Sequence, residues 1–103
     1  LQLTPNLSQL QELDRRGVIA SAPGKDVDFV SRFFAPNAGI AEDPVTGSAH
    51  CLLTPYWANQ LDRTQLTAKQ RSARGGSLIC ALQGNRVLIS GHATLYLQGE
   101  INI

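Results

Sequence analysis

The chain has 103 residues, 43 % apolar and 17 % charged, with a formal net charge of +1, so there is room for one domain over residues 1–103 and a modest core that would gain stability from a partner. This is the composition of a soluble globular protein, and its scattered Lys and Arg residues give nucleic acid or an anionic membrane no electrostatic foothold. No apolar run approaches a membrane span and no basic-then-apolar leader is expected, which with only two cysteines points to a reducing, cytoplasmic setting.

In chain order, the first segment reads as a short helix. Thr4 can cap it, Pro5 suits its first position, Leu7, Leu10 and Leu13 recur on one face, and Arg15, Arg16 and Gly17 suit its end. Val18 to Ala22 reads as a short buried strand stopped by Pro23-Gly24. Val27 to Phe34 is rich in β-branched and aromatic residues and reads as a longer strand. Its alternation leaves open which face is core, because Val30 and Phe34 oppose Val27, Phe29 and Phe33. Ala35 to Val45 is a loop by its proline, asparagine and glycine content.

A second helix is expected from Thr46 to Leu61. Ala49, Leu52, Leu53, Tyr56 and Trp57 cover more than one stripe of it, which implies burial on most sides. Pro55 removes one backbone hydrogen bond, so a kink or break is expected near residues 51 to 55. The remainder reads as β: Leu66 to Ser72, then Leu78 to Gln83 and Arg86 to Ser90 around a Gly84-Asn85 turn. A final strand is read from the alternation of Leu95, Leu97, Ile101 and Ile103 with Thr94, Tyr96, Gln98, Glu100 and Asn102. Together these predict an α+β fold, a curved antiparallel sheet wrapped around one central helix.

The segment Glu42-Asp43-Pro44-Val45-Thr46-Gly47-Ser48-Ala49-His50 runs from a loop into the second helix. The first amides of a helix lack intrahelical acceptors and carry the positive end of its dipole, so they suit a carboxylate or phosphate. Gly47 allows close approach to the backbone, Ser48 adds a hydroxyl, and Asp43 adds a carboxylate able to move a proton. The plainer alternative is an N-cap, with Asp43 or Thr46 satisfying those amides. Ser48 and His50 lie two apart on the helix and face different ways, which argues against a serine hydrolase. His50 and His92 read as structural residues, Tyr56 and Trp57 as core or interface anchors, and Arg74-Gly75-Gly76 as a strand-to-strand loop rather than an anion-binding turn. Cys51 and Cys80 lack metal-type spacing and read as small buried residues, so no metal site is expected.

Asp43-Pro44-Val45-Thr46-Gly47-Ser48-Ala49-His50-Cys51 is similar to the Asp-Pro-X-Thr-Gly signature of the phenazine-biosynthesis PhzF-like family. Phe33-Phe34-Ala35-Pro36, Gly39-Ile40-Ala41-Glu42, Pro55-Tyr56-Trp57, Gln70 to Gly76 and Val87 to Ala93 resemble the family on either side of it. The resemblance implies the C-terminal portion of a diaminopimelate epimerase-like fold: two similar halves, each a sheet curled around a helix, with the active site between them. It implies an isomerase or epimerase that moves a proton at carbon on a small carboxylate metabolite, in a biosynthetic process and with no cofactor. Carried over by position, Asp43 becomes the catalytic residue, as acid/base or in contact with substrate, and Thr46, Gly47 and Ser48 bind substrate. The family's principal general base, a glutamate, belongs to the N-terminal half, and part of the C-terminal half would precede Leu1. In diaminopimelate epimerase a catalytic cysteine precedes the corresponding turn; Pro44 stands there in this sequence, and Cys51 falls too late to be assigned that role. Completion of the cleft would therefore need a homodimer or a separate N-terminal half. The alternative is a non-catalytic module that binds small anions or another protein.

Overall fold

A computed structural model describes residues 3–12 and 17–103. Leu13, Arg15 and Arg16, read above into the first helix, lie outside the described residues. The elements are α1 (Leu7–Gln11), β1 (Val18–Pro23), β2 (Phe29–Phe34), a 3-10 turn η1 (Pro36–Ala38), α2 (Gly47–Leu61), β3 (Gln65–Gln70), β4 (Gly76–Gln83) and β5 (Arg86–Ser90).

The five strands form one sheet in the order β1-β2-β3-β4-β5. Three pairings are antiparallel, and β2 pairs with β3 in parallel. Parallel neighbours need a long crossover, usually a helix, and α2 is that crossover. It sets off beyond the carboxyl end of β2, runs back across the sheet and feeds β3. Its N-terminus therefore sits where β2, β3 and β5 end, the side on which sheets with helical crossovers commonly bind ligands.

The core lies between α2 and the sheet. Phe29, Leu66 and Cys80 are fully buried, with Ala49, Leu53, Trp57, Ala58, Ala68 and Leu78 around them. Trp57 stacks on Phe29 at 5.8 Å between ring centroids, and its indole N–H donates to Ser21 Oγ at 3.3 Å. On β3 the buried residues Leu66, Ala68 and Gln70 follow the two-residue period of a strand with one covered face. Phe29 and Ser31 settle the core face of β2. The opposite face is also covered at one point, where the Arg32 guanidinium lies 4.7 Å above the Phe34 ring. In the β4–β5 hairpin, Gly84 takes the first turn position with φ +59°, which a side chain would strain.

Several expectations need correction. The first helix is capped by Asn6, not Thr4; its Oδ1 accepts from Gln9 N at 3.1 Å, and the helix opens two residues later than Pro5. The longer strand opens at Phe29, because the Asp28 carboxylate is taken up by Thr67 N at 2.8 Å and by Arg63. Pro55 neither breaks nor ends α2. Cys51, whose carbonyl loses its donor, and Pro55 both lie on the exposed side of the helix, where water can satisfy that carbonyl. Burial of α2 is confined to the face carrying Ala49, His50, Leu53, Thr54, Trp57 and Ala58. Leu52 and Tyr56 are 69 % and 54 % exposed, because the open sheet reaches only one side of the helix. Cys51 is exposed with them, while Cys80 is buried as expected. The alternating segment from Thr94 to Ile103 forms no strand, and every residue from Gly91 onward is exposed. Alternation fits a strand, but a strand must also pair, and among the described residues this segment pairs with neither open edge of the sheet, β1 or β5. The radius of gyration of 15.5 Å exceeds the roughly 13 Å of a compact chain this size, as a projecting tail requires.

Candidate functional site

The start of α2 is held by a small polar lattice. Thr46, the N-cap residue, has extended backbone angles (φ −119°, ψ 108°), and its side chain does not cap the helix. Its hydroxyl instead donates to Asp43 Oδ2 at 2.5 Å. Gln70, at the carboxyl end of β3 and 1 % exposed, reaches across to both residues. Its Oε1 accepts from Thr46 N at 2.7 Å, and its Nε2 donates to Asp43 O at 2.8 Å and to Thr46 Oγ1 at 3.0 Å. Asp43 N donates to Phe33 O at 3.0 Å. Ser72 Oγ donates to Pro44 O and accepts from Gly75 N, each at 2.9 Å. The loop is thus fastened by Gln70, Ser72 and Phe33 as well as by Thr46 itself, and among the described residues no hydrogen bond satisfies the first-turn amides of Gly47, Ser48 and Ala49. These amides keep the positive end of the helix dipole available to an incoming anion.

Beside this turn lies an open cleft of about 750 Å³, whose lining includes Asp43, Gly47, Arg74, Gly75, Ser90 and His92. Among the described residues, Asp43 is the sole carboxylate on its lining. The neighbouring Glu42 is turned to Arg32, which donates through two nitrogens, each at 2.8 Å. This paired hydrogen bond, with the added charge attraction, raises the Arg32 pKa against the opposing effect of burial. Beneath the helix start, His50 is fully buried and its Nδ1 lies 2.7 Å from Thr46 O. Burial lowers its pKa, and the hydrogen bond to Thr46 offsets part of that.

The structure brings Asp43 and Gly47 together on the cleft. Thr46 is buried, with its hydroxyl committed to Asp43, and Ser48 is exposed outside the cleft lining. A Cβ built on Gly47 would meet nothing within 4 Å, so the space above it is open. Arg74, Ser90 and His92 are among the lining residues that escaped the sequence reading of the site. Arg74 is solvent-exposed, as read, yet it also stands on the cleft wall; His92 is not buried structure but exposed lining. One signal was available in Gly75-Gly76. Gly75 has φ +77°, and a Cβ at Gly76 would collide with Val45 of the loop before α2, so the pair lets the β3–β4 loop close against the helix entrance.

A family model described as phenazine biosynthesis-like protein (PhzC-PhzF) matches residues 1–99. The chain belongs to the PhzF-like family. An uncharacterized isomerase of Pseudomonas aeruginosa is 58 % identical over 99 residues, covering 96 % of this chain and 38 % of that protein. Another from Halalkalibacterium halodurans is 45 % identical over 102 residues, covering 97 % and 38 %. A crystal structure of a PhzF-family phenazine biosynthesis protein from Enterococcus faecalis superposes with a TM-score of 0.88 at 50 % identity, over 99 % of this chain and 40 % of that one. A PhzC/PhzF protein from Clostridium difficile gives 0.86 at 48 % identity, over 99 % and 40 %. The chain therefore spans about two fifths of the length of the relatives it matches. The family is of isomerase type by the names of these relatives, and its α+β architecture is seen here as one open, mixed five-stranded sheet packed on a helix rather than an all-antiparallel one.

Proposed function

We propose that this chain forms one wall of a cofactor-independent isomerase or epimerase site that moves a proton at a carbon next to a carboxylate. The supporting observation is the pairing of a fixed carboxylate with unsatisfied amides on one cleft. Asp43 is held by Thr46 and Gln70 beside Gly47 at the opening of α2. Amides aimed at a carboxylate stabilise the charge that builds up when the neighbouring carbon loses its proton. Gly47 and the amides after it would grip the substrate carboxylate, Asp43 would take or return the proton, and Thr46 would hold Asp43 in register. Ser48 would contribute its backbone amide more than its hydroxyl. The facing wall would come from a second copy of the chain or from a separate N-terminal half, in a cytoplasmic biosynthetic setting.

The test is solvent deuterium incorporation into small carboxylates by the wild-type protein and by Asp43→Asn. Loss of about two or more orders of magnitude is expected for the variant, the usual range for a positioned acid/base. Equal rates would remove Asp43 as the proton carrier. A second reading, an anion-binding module without catalysis, is favoured by one observation: among the described residues Asp43 has no second carboxylate opposite it on the cleft lining. Ligand-dependent shifts in the Gly47 and Ser48 amide resonances without any exchange would support it.

A further inference from the structure

Two buried polar atoms find no hydrogen-bond partner among the described residues: Oγ of Ser31 and Nε2 of His50. Their residues are 1 % and 0 % exposed. Protein interiors seldom leave such groups unpaired, because removal from water without a new bond is costly. The two atoms are chemically complementary. The Thr46 carbonyl can only accept, so its 2.7 Å contact with His50 requires the proton on Nδ1. In the neutral ring Nε2 is then an acceptor, and the Ser31 hydroxyl is a donor.

The topology carries both atoms to one place. Ser31 and Phe29 project from the same face of β2, and the Phe29 ring centroid lies 5.9 Å from that of His50. Ser31 is also the register partner of Gln70 on β3. Gln70 grips Thr46, and His50 holds the Thr46 carbonyl. Ser31 and His50 thus approach the opening of α2 from the strand side and the helix side of one layer.

We infer that Ser31 donates its hydroxyl proton toward His50 Nε2 across one internal water, which in turn donates to the ring, and that this bridged pair positions Asp43 through Thr46. The path runs from the Ser31 hydroxyl through the water and the imidazole to the Thr46 carbonyl, and from the Thr46 hydroxyl to the Asp43 carboxylate. Neither Ser31 nor His50 touches the cleft. The bridge stands independently of any catalysis; the effect on Asp43 rests on the function proposed above.

Long-range proton–nitrogen NMR on protein carrying nitrogen-labelled histidine tests the bridge. His50 should appear as a neutral ring protonated on Nδ1, and Ser31→Ala should move its Nε2 resonance toward that of a free acceptor. A ring protonated on Nε2, or an Nε2 resonance indifferent to Ser31→Ala, overturns the proposal. Deuterium exchange tests the positioning. His50→Leu should lower kcat roughly tenfold, about the loss of one buried hydrogen bond, with KM little changed. His50→Asn, which can still donate to the Thr46 carbonyl, should recover most of that. In an Asp43→Asn background His50→Leu should cost nothing further. A full additional loss there would assign His50 to general folding and overturn the positioning role, whereas absence of exchange in the wild type would count against the proposed function and leave the NMR result standing.

Discussion

Gln70 meets Thr46 and Asp43 with a single amide, and its orientation is not arbitrary, because the Thr46 N–H can only donate and so fixes which end is oxygen. Replacing it by leucine keeps the volume but strands a buried amide and a carbonyl. Gln70→Leu should therefore destabilise the protein by about 1–3 kcal/mol, read as a lower urea midpoint at unchanged slope. It should also slow deuterium exchange by freeing the loop that carries Asp43. His50 gives a pH signature of its own. Its folded-state pKa lies below the ordinary 6.5 because burial disfavours the charged ring. Between those two values the unfolded chain binds a proton that the folded chain refuses, so stability rises with pH across that window. The contribution is present above about pH 6.5 and is lost as pH falls toward the folded value. Melting temperature should drop over that range, and His50→Asn should flatten the drop; an unchanged slope in the variant would assign the dependence to other groups.

Elements differ in how much of their environment the local sequence encodes. The span of α2 was legible to one residue, because Thr46 and Gly47 mark its start and apolar residues persist to Leu61. The hairpin was legible because few residues other than glycine accept the backbone angle at Gly84. The Asp43 to Gly47 segment was legible as a turn bearing a carboxylate and free amides. Arg74, Ser90 and His92 were not, since they come from a loop and a strand end that meet the helix only through tertiary packing. The exposed side of α2 and the unpaired final segment were misread for one shared reason: apolar pattern reports a readiness to be covered, and coverage depends on what else is present. Leu66 lies at the centre of the covered region at 0 % exposure, in the core under α2 and beside its register partner Cys80. Leu66→Ala should cost about 2–5 kcal/mol, the range for a leucine truncated in a packed core. Ile79→Ala on the outer face of β4, 45 % exposed, should cost far less. Paired denaturation curves would decide, and similar losses would contradict the assignment of the core face.

At the scale of the whole molecule, the described chain has two kinds of surface. One is the cleft at the carboxyl ends of β2, β3 and β5. The other is apolar and uncovered: Leu52 and Tyr56 on α2, Leu88 on β5, and Leu95, Tyr96, Leu97, Ile101 and Ile103 beyond the sheet, the last five between 79 % and 120 % exposed. Exposed apolar area on this scale favours association. Since residues 94–103 bury nothing, removing them should leave the melting temperature of the dilute protein unchanged while shifting light-scattering mass toward the monomer at high concentration. A large drop in melting temperature would mean that the segment packs on the fold after all. The same bareness turns this segment into a sensor. Backbone amides without an acceptor trade hydrogen for deuterium almost at once, whereas those of α2 and the inner strands wait for local opening. Any companion that gathers the tail into a ladder would announce itself as slow labelling confined to those peptides, readable by mass spectrometry with no tag or dye attached.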